Sequence, residues 1–279
     1  MEAAALVAER AATFGGFLAT LTAIGVCTAR WAFAGLPTAR LAGLGTWAAA
    51  ALLVAQAVRL WGHTVSIVGD GNAPAWAALD LVARQSAWGG GWRPQVSAAA
   101  LLLPAFLWCR TRPAFGWPAA TLATAGIVAT IPLLGHAAGE PVLMTVHVAH
   151  VLGAGVWLGT LAALVSVRGL SAIQLASFSR MALPAAALVA GSGAWAAWTY
   201  VGTWTPLLST PYGRWLTAKL VLVAGIVTCG AVNWQRHARG TGSGGGVAVS
   251  PAIVATELIL AVLTLVATSI LTELEHPGP

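Results

Sequence analysis

The chain has 279 residues, of which 58% are hydrophobic and only 8% charged, against roughly one-quarter charged in a soluble domain. Its mean hydropathy is +0.81. That balance excludes a water-soluble globular domain and predicts an all-α, multi-pass membrane bundle, a single integral membrane domain over 1–279. The net charge of +6 comes from 13 Arg and one Lys. Most of these Arg fall in short loops, a pattern that orients a membrane protein and argues against nucleic-acid binding. The three Cys are widely spaced with no CxxC pair, so they form neither a disulfide framework nor a zinc motif. The opening Met-Glu-Ala-Ala lacks a basic n-region, so the first apolar run is expected to stay in the mature protein.

A spanning helix needs about 20 mostly apolar residues. The sequence offers eight such runs, near 11–31, 41–61, 94–109, 114–134, 142–166, 176–200, 213–235 and 250–271; the third is short and interrupted by Pro104. Arg30 and Arg40 flank the first loop, Arg110 and Arg112 the third, Arg168 and Arg180 the fifth, and Arg236 and Arg239 the seventh. Basic loops stay inside, which places both termini outside. Trp31, Trp108, Trp117 and Trp234 then fall near the inner boundary and Trp61, Trp88, Trp92 and Trp204 near the outer one, as an aromatic belt requires; Trp47 and Trp157 are expected to pack between helices. In the long outer loop, Trp76, Leu79 and Ala83 share one face of a short helix expected on the outer surface. The stretch Gly240–Gly246 is a flexible inner loop without phosphate-loop spacing. A faint repeat relates Ser86-Ala-Trp-Gly to Thr210-Pro-Tyr-Gly: each has a hydroxyl three positions before a Gly and an aromatic just before it. It points to two parallel four-helix repeats, 1–137 and 138–279.

Chemistry concentrates on the fifth span. Met144, His147 and His150 stand at steps of three on its leading end, each about 4.5 Å deeper than the last on a helix. Imidazole and thioether bind copper-like metals and are costly among lipid tails without a use. His63, His136 and Glu140 lie at the same outer boundary and make a candidate entrance, and His276 on the outer tail is expected to be solvated. Cys27, Cys109 and Cys229 fall in the inner halves of spans one, three and seven and make a candidate Cu(I) exit. Lys219 and Glu257 are intramembrane charges, functional by default unless they neutralise each other. A b-type haem is the competing use of the histidines, needing one axial His from each of two helices. No GxSxG, HExxH or P-loop is present, so hydrolytic catalysis and ATP-driven pumping have no support; the chain is not expected to be an enzyme.

The run His147-Val-Ala-His-Val-Leu-Gly-Ala-Gly-Val-Trp-Leu-Gly-Thr-Leu161 resembles the signature of the CopD copper-resistance family of bacterial inner-membrane proteins. Thr210-Pro-Tyr-Gly-Arg-Trp-Leu-Thr-Ala-Lys219, Asn233 and a last span bearing Glu257 resemble that family's C-terminal half, and Ser86–Trp92 its N-terminal half more loosely. The resemblance implies movement of copper, as Cu(I) or Cu(II), across the inner membrane alongside a periplasmic CopC-type carrier. No carrier domain is present here, so the carrier is expected to be a separate chain. Two other readings remain open: a haem-binding electron-transfer protein, and a membrane partner of such a carrier that does not itself transport.

Overall fold

The computed structural model describes residues 2–68, 76–135, 137–167, 172–240 and 251–277. His136, Arg168 and most of the Gly-Ser-rich loop lie outside this set, as do the side chains of Asn233, Trp234, Arg236, His237 and Arg239. The described residues are all-α. The long helices are α1 (Glu2–Ala32), α2 (Thr38–Val68), α4 (Ala87–Thr111), α5 (Pro113–Thr130), α6 (Pro141–Ala154), α7 (Thr160–Val167, continuous with α6), α8 (Ala172–Val201), α10 (Pro211–Gly240) and α11 (Pro251–Leu271). Two short helices, α3 (Trp76–Gln85) and α9 (Pro206–Ser209), precede α4 and α10. Proline opens α5, α6, α9, α10 and α11, at the first helical position where its missing N–H costs nothing.

Among the described residues seven helices are long and apolar enough to cross a membrane, so the protein is a multi-pass helical bundle. The remaining expected span, the third in order, corresponds to α4, which runs for 25 residues straight through Pro94 and Pro104. Arg93, Gln95 and Arg110 reduce its apolar character. It is longer than its apolar run because Ser86 caps it, accepting from the Gly89 N–H at 2.8 Å, and so draws Gly89–Gly91 into the helix.

The Ser86 and Thr210 turns have one geometry. Each hydroxyl donates four residues back, to the Val82 or Pro206 carbonyl, and accepts from the glycine N–H three residues on. Each of those glycines also lies directly beneath the preceding short helix. A methyl at Gly89 would stand 2.3 Å from the Val82 carbonyl oxygen, and one at Gly213 would stand 2.1 Å from that of Pro206. Only glycine fits either position. The surface helix α3 forms as the sequence pattern predicts, though Val82 is its buried residue and Trp76 points outward.

The motif Gly-Val-Trp-Leu-Gly becomes a π-helical turn, Gly155–Gly159, joining α6 to α7. Its glycines face α1. A Cβ on Gly159 would lie 2.0 Å from the Leu21 carbonyl oxygen, and one on Gly25 would lie 2.0 Å from the Gly159 carbonyl carbon. The two backbones therefore touch, the small-residue packing that holds helices together where lipid supplies no hydrophobic drive. Trp157 is buried at this crossing, as expected. Trp47 is not: it is 77% exposed and faces outward. Trp117, assigned to the inner belt, is instead only 1% exposed, edge-on to Phe106 with the Arg30 guanidinium over its ring at 5.7 Å. The apolar run around each Trp sets its depth, but only the neighbouring helices decide which way it points.

Arg10 at the start of α1 pairs with Glu273 just past α11 at 2.5 Å, so the first and last helices meet at one end of the bundle. Arg40 donates to the Val167 carbonyl at the C-terminus of α7, satisfying a helix end as a basic residue should.

Candidate functional site

At the end of the bundle where the termini meet, a cavity of about 190 Å³ opens between the helices. Each of the eight long spans supplies part of its wall: Thr13 and Thr20 from α1, Gln56 and Arg59 from α2, Gln95 from α4, Ile127 from α5, His147 and His150 from α6, Tyr200 from α8, Tyr212 and Lys219 from α10, and Thr268 from α11. Among the described residues no Asp, Glu or Cys lines it.

Both histidines are held at Nδ1. In His147 this nitrogen lies 3.0 Å from the Leu143 carbonyl. A carbonyl only accepts, so Nδ1 carries the proton. The Nδ1 of His150 lies 3.1 Å from Ser192 Oγ. The Ser192 hydroxyl proton is already committed to the Leu188 carbonyl, so here too the imidazole donates. In both rings Nε2 therefore keeps its lone pair, the tautomer a metal ligand needs, fixed by the bond its other nitrogen makes. Gly193 makes room for the second ring: a Cβ there would approach His150 Cε1 to 3.1 Å.

The remaining ladder and entrance residues do not join them. Met144 and Glu140 are absent from the cavity wall, and Glu140 is exposed. Three residues turn a helix by about 300°, so each step of three falls about 60° short of a full turn. Over two steps Met144 sits about 120° round from His150. His63 is likewise off the wall, one turn outward of Arg59, with its ring stacked on Trp88 at 4.3 Å. Gly135 and Ala137 do line the cavity, on either side of His136 in sequence. No three His, Cys, Asp or Glu come together among the described residues as a metal cluster. Cys27, Cys109 and Cys229 belong to no such group of three, although Cys27 and Cys109 lie near enough to act on each other; Cys27 bonds Thr124 at 3.6 Å, and Cys109 donates to the Ala105 carbonyl one turn back. For haem, the two wall histidines share one helix and so cannot face each other as an axial pair.

Lys219 and Glu257 do not pair. Lys219 lines the cavity, whereas Glu257, 4% exposed, lies beside Gly230 and within hydrogen-bonding reach of the Trp157 indole. Gly230 is eleven residues beyond Lys219 on α10, about 16 Å along the axis.

Three aromatic contacts escaped the sequence reading. Tyr200 packs 6.0 Å from the His147 ring and 6.3 Å from Tyr212, and His276 lies 5.1 Å from Tyr200. His276 is therefore docked against the bundle, not a free tail residue. Tyr212, the aromatic of the Thr-Pro-Tyr-Gly turn, was the only hint of this group in the sequence.

Residues 172–271 match the family model of CopD, copper resistance protein D. The match spans α8 to α11, including Tyr200, Tyr212, Lys219 and Glu257, and stops short of His147 and His150. Over that stretch, a little more than a third of its length, the chain is similar to a copper-resistance family. No curated protein and no solved structure gives a significant match.

Proposed function

We propose that this protein moves copper across the bacterial inner membrane, taking the ion into the cavity from the side on which both termini lie. The observation that carries the reading is the pair His147 and His150. Two neutral imidazoles, each fixed with Nε2 free, stand one turn apart on α6 and open into a cavity built by every long span. Borderline nitrogen donors suit copper in either oxidation state. Two such ligands without a thiolate or carboxylate bind weakly enough to release, as a transport site must. The match to a copper-resistance family over the last three long helices supports the identity of the ion. On this reading the outer side is the periplasm, where a separate CopC-type carrier would deliver the ion.

Copper uptake into proteoliposomes, paired with copper affinity of the purified protein, tests this. His147→Ala and His150→Ala should each weaken binding and uptake at least tenfold while the protein still folds, because the helix backbone is untouched. The double variant should lose little beyond the worse single one, since two ligands of one ion act as a unit. Single variants that both bind and transport like the wild type would show the pair to be structural.

A further inference from the structure

The cavity wall is cationic, and its charges are not all answered. Arg59 has acids near enough to act on it, Glu9 and Glu273, and Glu273 also pairs with Arg10. These two arginines and two glutamates cancel. Lys219 has no counterpart: among the described residues it makes no ion pair or hydrogen bond. Its charge acts on both His147 and His150. A lone copper cation on the two imidazoles would meet that ammonium across a cavity with no carboxylate among the described residues of its wall.

Two residues of the wall also carry buried polar atoms without a partner. Gln56, 3% exposed, leaves Oε1 without a partner, and the buried Nε–H of Arg59 has none either. Orphaned buried polar atoms on a cavity wall call for a polar occupant. The volume is more than ten times the roughly 10–15 Å³ that one water requires, so there is room for an ion with a companion. Gln56 Oε1, itself only an acceptor, calls for a donor such as water, whereas the positive charge is answered by a small coordinating anion. It neutralises Lys219, accepts from Arg59 and fills out the coordination of a metal held by only two nitrogens.

We propose that the cavity takes copper together with a monovalent coordinating anion, the metal on His147 and His150 and the anion against Lys219. This rests on the assignment of the two histidines as copper ligands. Chloride and a small carboxylate share the required chemistry, and the medium separates them.

The test measures copper exchange between the full-length purified protein and a chromophoric Cu(I) chelator at constant ionic strength, in perchlorate, chloride or acetate. Wild type should hold copper at least tenfold more tightly in chloride or in acetate than in perchlorate, and the better medium names the anion. Lys219→Met should abolish that difference and Lys219→Arg should retain it. Equal affinity in all three media overturns the anion while leaving the copper site standing. Loss of copper in every medium in Lys219→Met, with no recovery in Lys219→Arg, also overturns it, because the amine would then be a ligand. No copper binding in any medium by the wild type overturns the copper assignment itself and the anion with it.

Discussion

Ser192→Ala probes the supporting shell of the site without touching a ligand. Ser192 Oγ accepts the Nδ1–H of His150 at 3.1 Å and passes its own proton to Leu188. Alanine removes that acceptor, and an intramolecular hydrogen bond of this kind is worth about 0.5–1.5 kcal/mol. Loss of a bond that orients a metal-ligating imidazole costs about 10–100-fold in metal affinity. The Val189 carbonyl also lies within reach of the ring and holds part of its orientation. The loss should therefore sit at the lower end, about tenfold or 1.4 kcal/mol. Helix α8 should be unharmed, because alanine is the better helix former. Copper competition titration reads the affinity, and ¹⁵N spectra of labelled histidine read the tautomer. Ser166→Ala is the control: its hydroxyl donates only to the Ala162 carbonyl, and Ser166 does not line the cavity. An affinity within twofold of wild type in Ser192→Ala, with His150 still protonated at Nδ1, would refute the claim that this serine sets the ligand.

Gly193→Ala should also lower copper affinity severalfold in a folded protein, since its methyl meets His150 Cε1 at 3.1 Å and the ring must shift by a few tenths of an ångström; an unchanged titration would mean the ring has slack. Gly159→Ala should destabilise the bundle by about 1–3 kcal/mol through overpacking, because its Cβ would stand 2.0 Å from the Leu21 carbonyl, whereas Gly15→Ala, with open space around it, should melt like wild type. Reporter fusions after Arg112 should report cytoplasm and fusions after Pro279 the outer side; an inward C-terminus would put the cavity mouth on the cytoplasmic side and reverse the proposed direction of entry.

How far the site could be read from sequence depended on whether a relationship lay within one helix or between helices. His147 and His150 were legible as a pair because three residues on one helix fix both their depth and their facing. The same arithmetic, carried one step further, moves Met144 off the cavity, so two rungs of the ladder line the cavity and the third does not. Gly155 and Gly159 stood out as a motif, but only the crossing with α1 shows that Gly159 brings two backbones together while Gly155 makes room for Ile24. Trp47 and Trp117 show the limit for packing: similar apolar surroundings in the sequence, yet one faces outward and the other is enclosed between Phe106 and Arg30.

The cavity itself lies wholly in the second category. Its wall takes residues from α1 and α2 together with residues from α10 and α11, and no spacing rule connects Arg59 to Lys219 or Gln56 to His150. In the sequence, Lys219 was one of two isolated charges and a natural partner for Glu257. Once the helices are assembled, about 16 Å of α10 separates their levels, and the lysine faces two imidazoles instead. A positive charge is a poor neighbour for a metal-cation site unless something negative enters with the metal. It is this charge, contributed by the segment that matches the copper-resistance family and set against ligands that lie outside that segment, that makes the anion dependence of copper binding the sharpest question to put to the assembled cavity.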